Sequence, residues 1–169
     1  MHQALYRKYR PNVFDDVYGQ EHILGQGAIL RRLVDSGNIP NMIFYGYSGI
    51  GKTTLAKTIA KKTGLPLIHL DKIQWTGDWQ CLRGEDFDRI LLNEMDRPCW
   101  IIDGNYNRTL PMRLRHCDTV IYLDYPTVVS LSGALRRVIS NYGKVRDDMG
   151  GNCKERFDPK FFWFILTFN

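Results

Sequence analysis

Gly46-Tyr47-Ser48-Gly49-Ile50-Gly51-Lys52-Thr53 has the spacing GxxxxGK[ST], and Thr54 follows it. Glycines at 46, 49 and 51 let the chain curl until successive backbone N–H groups face inward at phosphate oxygens. A helix starting there adds the positive end of its dipole. Lys52 would reach the β- and γ-phosphates, and the Thr53 hydroxyl would ligate Mg2+. The spacing carries meaning only between a strand and a helix. Met42-Ile-Phe-Tyr45 is an apolar run of buried-strand type, and residues 53–63 read as a helix. Residues Gly46 through Thr54 are therefore the candidate nucleotide site, with ATP and Mg2+ as the expected cofactors.

Other residues with chemistry to offer fall at the ends of further apolar runs. Asp71 closes Leu65-Pro-Leu-Ile-His-Leu70, Asp103 closes Cys99-Trp-Ile-Ile, and Asp124 closes Thr119-Val-Ile-Tyr-Leu. In a parallel sheet ligands gather at the C-terminal strand ends, so Gly46, Asp71, Asp103 and Asp124 are expected to converge on one crevice. Asp71 can accept a hydroxyl proton from an acceptor or hold Mg2+ through water, and turn formation alone would also explain it. Asp103 is read as a metal-site carboxylate beside Thr53, and Asn105 as a substrate contact or a turn residue. Arg136, Arg137 and Arg146 are candidates to neutralise charge on a moving phosphoryl group, weighed against ordinary solvated arginine. Arg83, Arg108 and Arg113 are candidate acceptor-phosphate contacts on spacing alone. Trp75 and Trp79 can stack on an acceptor or pack in a core. His69, between two apolar residues, reads as a core histidine.

These residues need a scaffold, and the chain supplies strand and helix patterns in alternation. Strands are expected at about 42–46, 65–70, 99–103 and 119–124, and helices at 53–63, 85–95, 110–116 and 128–142. Ile29, Leu30, Leu33 and Val34 give an earlier helix, closed by Gly37-Asn38. Alternation predicts an α/β protein: a parallel sheet with helices on both faces, the three-layer P-loop NTPase fold. No fifth β-run is found. The sheet is expected to lack its last strand, leaving an edge and the apolar residues 161–168 short of cover, with self-association as the consequence.

The chain has 169 residues, 44% hydrophobic and 12% aromatic, which suits one soluble globular domain. Its net charge of +5 fits polyphosphate ligands as well as nucleic acid. No dense basic run interleaved with aromatics occurs, so DNA is a minor expectation. Cys81, Cys99, Cys117 and Cys153 form no C-x-x-C pair, and His2, His22, His69 and His116 are scattered, which excludes a zinc motif of the usual spacing. The N-terminus lacks a signal-peptide pattern, and the longest apolar run, Phe161 to Leu166, is too short to span a bilayer. A cytoplasmic protein without a membrane partner is expected.

Two family resemblances meet at the phosphate loop. Residues 42–169 resemble the DNA topology modulation proteins, small P-loop proteins related to adenylate and shikimate kinases. The resemblance runs through Gly49-Ile-Gly-Lys-Thr-Thr-Leu-Ala-Lys57, Leu67-Ile-His-Leu-Asp71 with Trp75 and Trp79, and Trp100-Ile-Ile-Asp-Gly-Asn-Tyr106. It continues through Arg108-Thr-Leu, Asp118 to Asp124, Arg136-Arg137, Arg146-x-Asp-Met149 and Cys153-x-Glu-Arg156. It implies a kinase-type strand order, with the strand ending at Asp103 directly beside the Met42–Tyr45 strand. It also implies a mobile arginine-bearing lid at about 136–158.

Residues 1–63 instead resemble the N-termini of AAA+ ATPases of the clamp-loader and replication-associated recombination type. Tyr6-Arg-Lys-Tyr-Arg-Pro11, Phe14-Asp-Asp-Val17, Gly19-Gln-Glu-His-Ile23 and Ile43-Phe-Tyr-Gly46 carry this likeness. It implies that Gly19 to His22 lie beside the adenine. A motor of that family needs an acidic pair after its third strand, but Asp103 is followed by Gly104 and Asp124 by Tyr125. The sequence thus divides into an AAA+-like lead, 1–40, and a kinase-like body, 41–169. The expected activity is phosphotransfer from ATP to an unidentified nucleotide or small-molecule acceptor. The alternative is an AAA+-related ATP-binding accessory protein of DNA replication, recombination or topology modulation, with weak ATPase activity.

Overall fold

Met42, Ile43 and Phe44 are apolar without interruption because both faces of their strand are covered, and all three are fully buried. The computed structural model describes residues 28–36 and 40–167. In it β1 (Met42–Gly46) runs parallel to β3 (Ile101–Asp103), with Phe44 opposite Asp103, and on its other side to β4 (Thr119–Leu123), with Gly46 opposite Leu123. The short β2 (Leu67–His69) pairs with β3, placing His69 opposite Asp103. The order β2-β3-β1-β4 is the kinase-type order expected, with no strand between β1 and β3.

Alternate residues of the strands feed two separate cores. On one face Met42, Phe44, Ile101 and Ile121 pack on Leu55 and Ile59 of α2 (Lys52–Thr63). On the other, Ile43, Ile68 and Ile102 meet Phe87 and Leu91 of α4 (Gly84–Met95), closed by the fully buried Trp100. The Trp100 indole N–H donates to the Met95 carbonyl at 3.2 Å, so its polar edge is satisfied. Helix α1 (Ile29–Asp35) is tied to α2 by an ion pair of 3.3 Å from Lys62 to Asp35. Helix α2 stops at Gly64, whose φ of 74° lets its N–H donate back to the Ala60 carbonyl.

Two expectations are corrected, the element that holds Asp71 and the place of Asp124. Strand β2 ends at His69, and the chain turns at once into the short helix α3 (Leu70–Gln74), so Asp71 lies in a first helical turn and not at a strand end. Carboxylates favour that position because free N–H groups collect there. The apolar stretch at 161–166 belongs to a helix, α7 (Pro159–Thr167). It buries Ile165 against Tyr47 and Ala134 of α6 (Thr127–Asn141), while Trp163 and Leu166 stay exposed. Finally, Asp124 follows the outermost strand, is exposed, and does not line the central cavity. Among the described residues the sheet has four strands, and β4 exposes Val120 and Tyr122 at its edge. The lead segment carrying Gly19 to His22, and the Gly37-Asn38 break, lie outside the described residues.

Candidate functional site

The phosphate loop takes the form its glycines allow. Gly46, Gly49 and Gly51 have φ of 132°, 90° and 86°, conformations in which a side chain would be strained. Space demands glycine as well. A Cβ on Gly46 would strike the Leu123 carbonyl, and one on Gly49 would lie 2.5 Å from Ser130 O and Ala134 N of α6. The approach is mutual, since a Cβ on Gly133 in the middle of α6 would strike the Gly49 carbonyl. Glycine inside a helix costs about 0.5–1 kcal/mol relative to alanine. Here it lets α6 back the loop directly. Its only signal in the sequence is a glycine in a helical pattern, which sequence reasoning passed over.

Lys52 points back along the loop, with its ammonium donating to the Gly46 carbonyl and to Asn105 Oδ1, both at 2.7 Å. Burial lowers its pKa to about 8, against the opposing pull of Asp103 and Asp71. The Thr53 hydroxyl donates to Asp103 Oδ2 at 2.6 Å, and His69 Nδ1 lies 3.3 Å from the same oxygen. Thr53 and Asp103 thus present hard oxygen donors side by side, a set suited to Mg2+ held partly through water. His69 is buried, as read from its apolar neighbours. Tyr47 and Ile50 turn into the core beside α6 and do not line the cavity, whereas Ser48, Gly49, Gly51, Lys52, Thr53 and Thr54 do.

A cavity of about 1020 Å3 opens from this loop. Asp71 faces it from α3 and accepts from the Tyr106 hydroxyl at 2.7 Å. Burial raises the Asp71 pKa, and the Tyr106 hydrogen bond and the charge of Arg146 oppose that rise. Trp75 and Trp79 form an aromatic wall, edge to face with centroids 5.3 Å apart, and the Arg156 guanidinium sits 4.8 Å over the Trp79 ring.

The roof is a hairpin-like loop between α6 and α7, closed by an antiparallel bridge of Val145 with Lys154 and a parallel one of Tyr142 with Glu155. Arg146 donates to both Asp148 oxygens and to Glu155 at 2.7 Å, and Arg137 approaches Glu155 at 3.5 Å. Burial would raise the Asp148 pKa, but the hydrogen bonds and charge of Arg146 outweigh it and hold it at about 2. Lys57 of α2 reaches Asp147 at 2.7 Å, tying the hairpin to the helix that follows the phosphate loop. Arg137 and Arg146 therefore line the cavity, while Arg136 is exposed and outside it.

The remaining arginines divide by environment. Arg83 is exposed. Arg108 pairs with Asp88 at 2.7 and 2.8 Å and lies over the Phe87 ring. Arg113, in the short helix α5 (Leu110–Leu114), is fully buried and is thereby removed from the candidates for acceptor contact. Burial lowers its pKa to about 10. Its guanidinium donates to the carbonyls of Gly104, Asn105 and Tyr106. Among the described residues no helix is long and apolar enough to cross a membrane, and no group of His, Cys, Asp and Glu forms a metal cluster.

Comparison with known proteins adds the following. Residues 42–124 match the family described as "ATPase family associated with various cellular activities (AAA)". A replication factor C small subunit of Methanosphaera stadtmanae is 50% identical over 54 residues, 32% of this chain and 16% of that protein. A replication-associated recombination protein A of Haemophilus influenzae is 46% identical over 55 residues, 32% of this chain and 12% of that protein. The chain thus spans less than a fifth of the length of these relatives. A solved RuvB P216G mutant of Thermotoga maritima superposes with a TM-score of 0.47 and 17% identity, covering 78% of this chain and 55% of that one. The family match and the two replication relatives carry the AAA+ side of the resemblance. They do not carry the DNA topology modulation side.

The site yields two expected outcomes. Gly133→Ala favours the helix but pushes into the loop. Triphosphate affinity by calorimetry should fall about tenfold or more, the scale of ~1–3 kcal/mol for forcing atoms into a packed contact. Lys52 binds phosphate as the ammonium. Below its pKa of about 8 the charge is present in the free protein, and above it the proton must first be taken up. ATP affinity should therefore weaken as pH rises through that value, approaching about tenfold per unit, and Lys52→Arg, whose guanidinium keeps its charge, should lack the dependence.

Proposed function

We propose that this chain is an ATP-binding P-loop protein that holds ATP·Mg2+ in the crevice above β1 and β3. The single observation that supports it most is the arrangement around Lys52: a glycine loop backed by α6, a buried ammonium held within that loop, and Thr53 hydrogen-bonded to Asp103. The loop amides and Lys52 would take the phosphates, and Thr53 and Asp103 would hold the metal. Bound Mg2+ would neutralise charge on the phosphate oxygens.

Two finer readings follow, each with its own support. The comparisons favour an ATP-binding accessory protein related to AAA+ ATPases, with DNA or replication proteins as partners and slow hydrolysis at most. The names of the relatives and the family match through 42–124 are its basis. The site geometry favours phosphotransfer to a small acceptor, a reading that the two relatives named above do not support. Its basis is the strand order, Asp71 facing the same cavity as the phosphate loop, and Arg137 and Arg146 above both. In that reading Asp71 orients an acceptor hydroxyl and takes its proton, and the two arginines offset charge on the transferred group.

Labelled ATP incubated with a panel of nucleosides, nucleotides and sugars separates the two. Phosphotransfer predicts a labelled acceptor, and the accessory reading predicts free phosphate only. Asp71→Asn should lower transfer by about 100- to 10,000-fold, the scale of a lost general base, while ATP affinity by calorimetry stays unchanged. If neither transfer nor hydrolysis changes in this variant, the acceptor role of Asp71 is lost and the accessory reading stands alone.

A further inference from the structure

The segment Gly104-Asn105-Tyr106 carries more than a turn requires. Tyr106 has φ of 27°, an unfavourable backbone for an aromatic residue, and Gly104 has φ of 143° with no room for a Cβ, which would lie 2.8 Å from the Leu70 side chain. Arg113 holds this strained segment. Its guanidinium is fully buried and spends its hydrogen bonds on three consecutive carbonyls, at 3.1 Å to Gly104, 2.5 Å to Asn105 and 3.0 Å to Tyr106. A buried cation met by backbone oxygens ties those three peptides into one body.

Two adjacent side chains on that body reach two different groups that line the cavity, Lys52 and Asp71. Asn105 Oδ1 accepts from Lys52 Nζ at 2.7 Å and from the Gly46 N–H at 3.3 Å, at the phosphate end. The Tyr106 hydroxyl donates to Asp71 at 2.7 Å, with its ring set against Phe87 at 5.4 Å. Phosphate oxygens arriving at Lys52 compete with Asn105 for its N–H donors. A movement of the Asn105 backbone as its side chain leaves Lys52 carries Tyr106 with it, because Arg113 holds both carbonyls.

We infer that Asn105 and Tyr106, stapled by Arg113, form one positioning unit that couples occupancy of the phosphate loop to the setting of Asp71. Neither residue is assigned to the chemistry: Asn105 acts through Lys52 and Tyr106 through Asp71. The inference rests on the reading of Asp71 as the acceptor-side carboxylate. In that setting it gives the protein a way to prepare Asp71 only when a triphosphate is bound.

The test places 3-fluorotyrosine at Tyr106 of the full chain and follows its 19F resonance as AMP-PNP·Mg2+ is added, with binding followed in parallel by calorimetry. The expected result is a shifted resonance on binding in the otherwise wild-type protein. In Asn105→Ala, saturated with the same nucleotide, the shift should be lost. Asn105→Ser serves if the alanine variant does not fold. A resonance that stays fixed while calorimetry records binding overturns the coupling but leaves the proposed ATP site intact. A shift that persists in the Asn105 variant also overturns it, since the nucleotide then acts on the ring directly. Absence of nucleotide binding by calorimetry overturns the ATP site itself, and the coupling with it.

Discussion

A lysine ammonium taken out of water must be met by oxygen, and the structure around Lys52 is arranged to do so. Gly46 turns its carbonyl back toward the ammonium, which requires a φ open only to glycine, and Asn105 supplies the second acceptor. Asn105 is in place because Gly104 and Tyr106 take unusual backbone angles and Arg113 holds all three carbonyls. The loop itself stays close to α6 because Gly49 and Gly133 leave no side chain between them.

Charge balance explains the roof in the same way. Arg137 and Arg146 bring two cations over the cavity, and burial without partners would be costly. Glu155 and Asp148 meet them from within the hairpin, and Asp147 extends the network to Lys57 on α2. Phosphate oxygens compete well for the same guanidinium groups, being multiply charged and suited to bidentate contact.

Much of this was legible in the sequence because it depends on local pattern. The phosphate loop follows from eight residues and their flanks. The α/β architecture follows from alternation, and the core histidine at 69 from its apolar neighbours. What escaped depends on contacts between distant residues. Arg113 looks like any helix arginine, and only the fold brings it under three carbonyls. Gly133 reads as a weak helix residue until the loop is seen against it. Asp71 was placed on the correct side of the sheet but in the wrong element, since Leu65 to Leu70 is apolar enough for a strand and gives no sign of the turn at His69. Asp124 failed for a topological reason: a strand at the edge of a sheet ends beside the crevice and not in it. The two family resemblances overlap at the phosphate loop, and the matches to replication proteins support the AAA+ one, not the DNA topology modulation one.

The claim on which the rest depends is that the loop at 46–54 binds a nucleoside triphosphate through Lys52. Titration calorimetry of ATP·Mg2+ into the wild-type chain and into Lys52→Ala tests it most directly, with circular dichroism confirming that both are folded. The account predicts saturable binding to the wild-type protein and none to the variant, because the ammonium faces the ligand and little of the fold rests on it. Equal affinity in the two proteins would contradict it.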